Sequence, residues 1–267
     1  MLGVAACLTL TASFAWAHEG LHEQIVAITA KIKRDPGNAS LYLQRGELHR
    51  LHRDWRLAAR DYDRAQRLQP GLTIVQLARG KMLFESGRYK QARIVLDGFL
   101  RDHPTQLDAL ITRGRVLFKL ALRHGAAKDF TQAIAVAQPP EPELYLERAQ
   151  ILSVEQNDIN YALRGLDEGI ARLGPLATLE LAAIDLELRQ KDFDAALTRL
   201  DLVMAQSERK EAWLIQRGEI LKAAGRNDEA REAFNAALLA IESLPPERRQ
   251  NRATIQLQVR ARSGLKL

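Results

Sequence analysis

His49 and His52, in the run His49-Arg50-Leu51-His52, stand three residues apart. On a helix that spacing places both imidazoles on one face, the beginning of a possible metal site. No Glu lies between them and no third ligand is evident, so the pair does not complete one. His18 offers different chemistry. If residues 1–17 are removed, His18 becomes the N-terminus, where a free amine and an imidazole together chelate copper or nickel, with His22 and Glu23 near in sequence. A frayed polar terminus is the plainer reading. His103 precedes Pro104 and His124 precedes Gly125, and both suit helix ends where a cation complements the dipole. The acidic pairs Asp61/Asp63 and Glu141/Glu143 lack a partner that would mark acid–base catalysis. No serine-hydrolase elbow, zinc-protease motif or glycine-rich phosphate loop occurs. The expectation is a chain that is not an enzyme and takes no cofactor and no metal, with a metal-handling role at His18/His22 as the alternative.

Composition narrows the class. The chain has 267 residues, with 39 Lys and Arg against 33 Asp and Glu, a net charge of +6. Hydrophobic residues make up 46%, too many for a disordered chain. With 16 Gly and 9 Pro it is poor in turn formers, and Ala, Leu, Arg, Glu and Gln favour helix. The one cysteine, Cys7, excludes a disulfide framework and a cysteine-rich zinc site. Arg is spread along the chain but interleaved with acids, without a basic cluster carrying aromatics, so nucleic acid is not the expected partner. An anionic membrane surface, a cell-wall polymer or an acidic protein suits the basic excess better. Residues 1–17 carry no charge and end Ala15-Trp16-Ala17, a pattern that fits export and cleavage before His18. The missing Lys or Arg ahead of the apolar run leaves an uncleaved anchor or a start placed too far downstream as the alternatives. The segment is short for a span, which needs ~20 apolar residues. The expected location is the periplasm or the extracellular space, with no membrane span after cleavage.

A repeat must position whatever the chain does. Small residues recur at Gly46, Gly80, Gly114, Ala149, Ala183 and Gly218, in steps of 34 or 35. A second series keeps the beat at Ala58, Ala92, Ala126, Ala162, Ala196 and Ala230, and each member is followed four residues on by a large apolar one: Tyr62, Leu96, Phe130, Leu166, Leu200 and Phe234. Pro70, Pro104, Pro139 and Pro175 close the first four units. Arg45, Arg79, Arg113, Arg148 and Arg217 each precede the small residue, and Asp61 and Asp129 each precede the large one. Arg45–Asp61 and Arg113–Asp129 are therefore expected to bridge the two helices of a unit, which leaves Arg79, Arg148 and Arg217 without an equivalent acid.

This pattern resembles the tetratricopeptide repeat, a 34-residue helix–turn–helix, most fully in Tyr42, Gly46, Trp55, Ala58, Tyr62, Ala65 and Pro70. The resemblance implies an all-α solenoid, a right-handed superhelix of about six units over residues 38–244. Residues 18–37 would cap one end, with Leu21, Ile25, Ile28 and Ile32 on one side, and 245–267 the other. His49 then falls where a packed Tyr or Leu is usual. The family's first helices line a concave groove that takes a peptide or helix of another protein. The corresponding offsets here are Leu43, Glu47 and Arg50; Leu77, Lys81 and Phe84; Ile111, Arg115 and Phe118; Leu146, Gln150 and Ser153; and Ile215, Glu219 and Lys222. Apolar positions beside Lys81 and Arg115 imply a partner with apolar and acidic groups. Phe84 and Phe118 suit packing between units equally well.

Overall fold

The computed structural model describes the backbone of residues 5–154 and 158–266, and side chains from residue 20 onward except 155–157 and 267. The side chains of the expected export segment, and that of His18, lie outside the described residues. The described residues are helices joined by short turns, in two compact units, Met1–Gln138 and Pro139–Leu267.

Unit one contains α1 (Ala5–Arg34), α2 (Ala39–Leu51), α3 (Trp55–Leu68), α4 (Ile74–Glu85), α5 (Tyr89–Asp102), α6 (Leu107–Lys119) and α7 (Arg123–Val136). Unit two contains α8 (Pro142–Leu152), α9 (Ile159–Leu173), α10 (Ala177–Arg189), α11 (Phe193–Gln206), α12 (Glu211–Ala223), α13 (Asn227–Glu242), α14 (Pro246–Arg249) and α15 (Arg252–Gly264). The helices pack in consecutive pairs, α2 with α3 through α12 with α13. Local chemistry starts several of them. Asn38, Gln106, Asp192 and Asn251 each accept a backbone N–H of the first turn through the side chain.

Each pair is held by a close approach. A β-carbon on Gly46 would sit 2.6 Å from the Tyr62 ring, one on Gly80 2.6 Å from Leu96, one on Gly114 2.8 Å from Phe130, and one on Gly218 2.7 Å from Phe234. The small and large series in the sequence are thus the two sides of one contact, and Tyr62, Leu96, Phe130 and Phe234 are buried by it. Helix pairs with Ala at the small position have Leu at the large one, as in Ala149 with Leu166 and Ala183 with Leu200. On the α8–α9 pair the roles also swap: Gly169 of α9 faces the Tyr145 ring of α8, 2.9 Å from a notional β-carbon.

The turn inside a pair needs one left-handed residue. Arg53, Gly87, Ala121, Lys191 and Gly225 all have positive φ, between 58° and 76°. Only two are glycine, so sequence alone marks two of the five.

The recurring arginines find partners by a rule of 16. Arg45 donates to both carboxylate oxygens of Asp61 at 2.7 Å, and Arg113 to those of Asp129 at 2.7 and 2.8 Å. Both expected bridges form. Arg79 instead reaches back 16 residues to Asp63 at 2.5 Å, Arg217 reaches back 16 to Asp201, and Arg113 adds Asp97 at 3.1 Å in the same direction. These acids lie on the second helix of the preceding pair. Arg148 turns to Glu168 at 2.6 Å and to the Gly165 carbonyl at 3.1 Å. In the α10–α11 pair the charges are inverted. Arg199 occupies the place of Asp61 and Asp129, and bonds the buried Glu187 at 2.5 Å and Glu180 at 3.2 Å.

Two outcomes follow. Arg113→Met strands the buried Asp129 and should lower unfolding free energy by about 3 kcal/mol, whereas Arg113→Met/Asp129→Leu should recover most of that in urea denaturation. Ala121→Gly relieves a left-handed alanine and should raise the unfolding free energy by about 1 kcal/mol, while Gly87→Ala should lower it by a similar amount.

Candidate functional site

The first helices α2, α4 and α6 lie side by side in unit one, each packed on the next. They carry nine of the groove positions. Leu43, Glu47, Arg50, Lys81, Phe84, Ile111 and Phe118 are half-buried and Arg115 is exposed. Leu77 is 3% exposed and belongs to the core between helices. Phe84 stacks obliquely on Tyr89, with ring centroids 5.9 Å apart.

Charge on this face is largely balanced within the chain. Glu47 accepts from the Tyr62 hydroxyl and from Arg50 at 2.9 Å, and Arg50 also pairs with Glu85 of α4. Burial works against the Arg50 charge, but the bonds to Glu47 and Glu85 outweigh it and its proton is held above the ordinary range. Burial and then Glu47 push the Tyr62 hydroxyl pKa upward. Lys81 meets Asp108 of α6 at 2.7 Å. The lateral belt Glu47–Arg50–Glu85 and the pair Lys81–Asp108 therefore tie neighbouring first helices together. Sequence reasoning missed Glu85 and Asp108. Their separations of 35 and 27 residues from Arg50 and Lys81 cross from one helix pair to the next rather than within a pair.

An open recess lies where α1 meets α2. Gln24, Ala27, Ile28 and Lys31 of α1 and Leu43, Gln44, Glu47 and Leu48 of α2 line a recess of about 590 Å³. Thr29 accepts from Arg45 at 3.2 Å and fixes α1 against α2. The walls are mainly aliphatic. Lys31 makes no ion pair among the described residues, so it is the rim cation an incoming acid can reach. Of this lining the groove pattern had marked Leu43 and Glu47. The α1 wall was legible only as a capping stripe containing Ile28.

In unit two, Gln150 is exposed on α8. It shares a recess of about 260 Å³ with Leu146, Ser153, Asp185 and Arg189, and Arg189 donates to the Ser153 carbonyl. Ile215 is fully buried, Glu219 is paired with Arg260, and Lys222 is exposed.

The histidines resolve individually. His49 is 8% exposed, with Nδ1 3.9 Å from Asp54 and Nε2 3.9 Å from Asp61, while His52 lies 3.0 Å from Asp54. Burial depresses the His49 pKa, so it packs as a neutral ring. His22 is exposed on α1. His103 ends α5 and reaches the Thr73 hydroxyl at 3.1 Å. His124 corrects the sequence expectation: it lies in the first turn of α7, the end that disfavours a cation. Among the described residues no group of three His, Cys, Asp or Glu side chains could hold a metal ion, and no helix is long and apolar enough to cross a membrane.

The helix pairs and the close contacts within them define an all-α helical-repeat protein, and comparison with known families agrees. A tetratricopeptide repeat-like domain matches residues 144–261 and a tetratricopeptide repeat matches residues 43–106. The chain belongs to the tetratricopeptide-repeat family. Among solved structures it is similar to the C-terminal part of a tetratricopeptide repeat-containing protein from Cytophaga hutchinsonii (TM-score 0.67, 15% identity, 92% of this chain and 98% of that one). It is also similar to a tetratricopeptide repeat protein from Parabacteroides merdae (TM-score 0.53, 19% identity, 95% and 97%) and to the type IV pilus biogenesis factor PilW (TM-score 0.55, 20% identity, 78% and 97%). At these identities the likeness is one of fold. No curated protein matches the sequence. The fold is that of a protein–protein interaction scaffold.

The neutral, buried His49 makes stability depend on pH. Its folded pKa lies below the unfolded value of about 6.5, so the unfolded state binds more protons as pH falls and the folded state is penalised. The difference in unfolding free energy between wild type and His49→Leu should be flat above about pH 7 and shift against wild type toward pH 5. A constant difference would contradict this.

Proposed function

We propose that the chain is a non-enzymatic scaffold that holds an apolar segment of another protein, helical or extended, against the α1–α2 side of unit one. The observation that carries this is the aliphatic recess of about 590 Å³ with Lys31 at its rim. A helix or strand presenting one or two aliphatic side chains enters the recess, and an acidic group on the same segment meets Lys31. The paired state of Arg50 and Lys81 moves the acid-recognition point away from the middle of the groove. The uncharged residues 1–17, ending Ala15-Trp16-Ala17, support export to the periplasm or extracellular space.

Ala27→Trp places an indole in the recess from an exposed position and should reduce recovery of the partner in co-purification by about tenfold or more. Lys31→Glu should reduce it less and in a salt-dependent way. Lys222→Glu, in unit two, should leave it unchanged. Equal recovery with Ala27→Trp would remove the recess as the binding surface. The mass of the protein from its native compartment tests export, with His18 expected as the first residue.

A further inference from the structure

The net charge of the chain has one source. Arg248, Arg249, Arg252, Arg260, Arg262 and Lys266 are six of its 39 Lys and Arg residues, and no Asp or Glu follows Glu247. The other 33 cations face 33 acids, so residues 1–247 are neutral overall and the segment of α14 and α15 accounts for the whole +6.

α15 shows how that charge is displayed. Thr254 and Ala261 are buried against unit two, and a β-carbon on Gly264 would lie 2.4 Å from the Phe234 ring. With about 3.6 residues per turn, Arg252, Ile255, Val259 and Arg262 form one stripe on the opposite side, roughly 15 Å long. Ile255 is 47% exposed and Val259 62%. Among the described residues Arg248, Arg249, Arg252, Arg262 and Lys266 form no ion pair. Arg260, off the stripe, is the exception and donates to both oxygens of Glu219 at 2.9 Å.

We propose that α14 and α15 form a peripheral contact for an anionic lipid surface, with Arg252, Arg262 and their basic neighbours on the headgroups and Ile255 and Val259 at the acyl boundary. A stable protein interface is built around a buried cluster of anchors, and two aliphatic side chains are too few to make one. A headgroup layer needs no matched geometry. Its phosphates meet each guanidinium wherever it stands, and short aliphatic groups between cations enter the interface. With so little apolar area the contact is electrostatic in the main, reversible and sensitive to salt. It uses residues of unit two alone and is independent of the recess on α1 and α2.

The test is sedimentation of the full chain with vesicles of phosphatidylcholine and phosphatidylglycerol, against pure phosphatidylcholine. Binding to the anionic vesicles alone is expected. It should vanish as salt rises from about 0.1 to about 1 M and the screening length falls from roughly 10 to roughly 3 Å. Arg252→Glu/Arg262→Glu should weaken it by at least about 25-fold, from about 1 kcal/mol for each arginine lost with repulsion by the new carboxylates added, and Ile255→Ser/Val259→Ser should weaken it measurably. All four side chains are exposed, and an unchanged helical circular dichroism spectrum confirms folding. Undiminished binding by the charge-reversed variant, or equal binding to both vesicle types, overturns the proposal. So does capture by soluble polyglutamate without vesicle binding, which would reassign the stripe to an acidic protein.

Discussion

A β-carbon's worth of space decides this fold. Where one helix of a pair carries glycine, the other lays Tyr62, Leu96, Phe130 or Phe234 across it at a distance that no larger residue permits. That contact fixes the separation and register of the two helices. Register then places Arg45 and Arg113, one residue before the glycine, opposite Asp61 and Asp129, one residue before the aromatic. A bidentate guanidinium is what makes burying those carboxylates tolerable. The ion pairs thus depend on the packing contact, and they add specificity of pairing rather than bulk stability.

The same rule turned around joins one pair to the next. Arg79, Arg113 and Arg217 reach back to acids on the preceding second helix at the same 16-residue separation. An arginine at this position therefore stands between two candidate acids, one ahead and one behind, and sequence chooses which is present. Arg148 has neither acid and bonds Glu168 and the Gly165 carbonyl instead, and in the α10–α11 pair the roles are swapped, with Arg199 on the second helix and Glu180 and Glu187 on the first. The first helices are joined differently, through Glu47–Arg50–Glu85 and Lys81–Asp108. These pairs neutralise the central part of the face, and an accessible apolar recess lies beside it at α1.

Much of this was legible in the residues. Fixed spacing of small and large side chains announces helix pairs, because a tight contact restricts both partners at once. The within-pair bridges could be read because both members precede marked positions. The backward bridges could not, since acids such as Asp63 and Asp201 mark nothing in their own helix pair. Arg53, Ala121 and Lys191 hide the turn because residue type does not reveal a left-handed conformation that packing imposes. His124 was misplaced because a following glycine suggests a helix end, whereas here the helix runs on through Gly125. The recess escaped notice because half of its wall comes from α1, outside the repeat pattern. The charge excess of α14 and α15 was countable, but its unpaired display required coordinates.

The most direct test of the packing constraint is equilibrium unfolding of Gly114→Ala, alone and combined with Phe130→Leu, the Ala–Leu combination used by the α8–α9 and α10–α11 pairs. The single variant should lose about 1–3 kcal/mol through overpacking, and the second substitution should return part of that loss. If Gly114→Ala is as stable as wild type, or if Phe130→Leu adds its full cost on top, the close approach does not govern the helix pair.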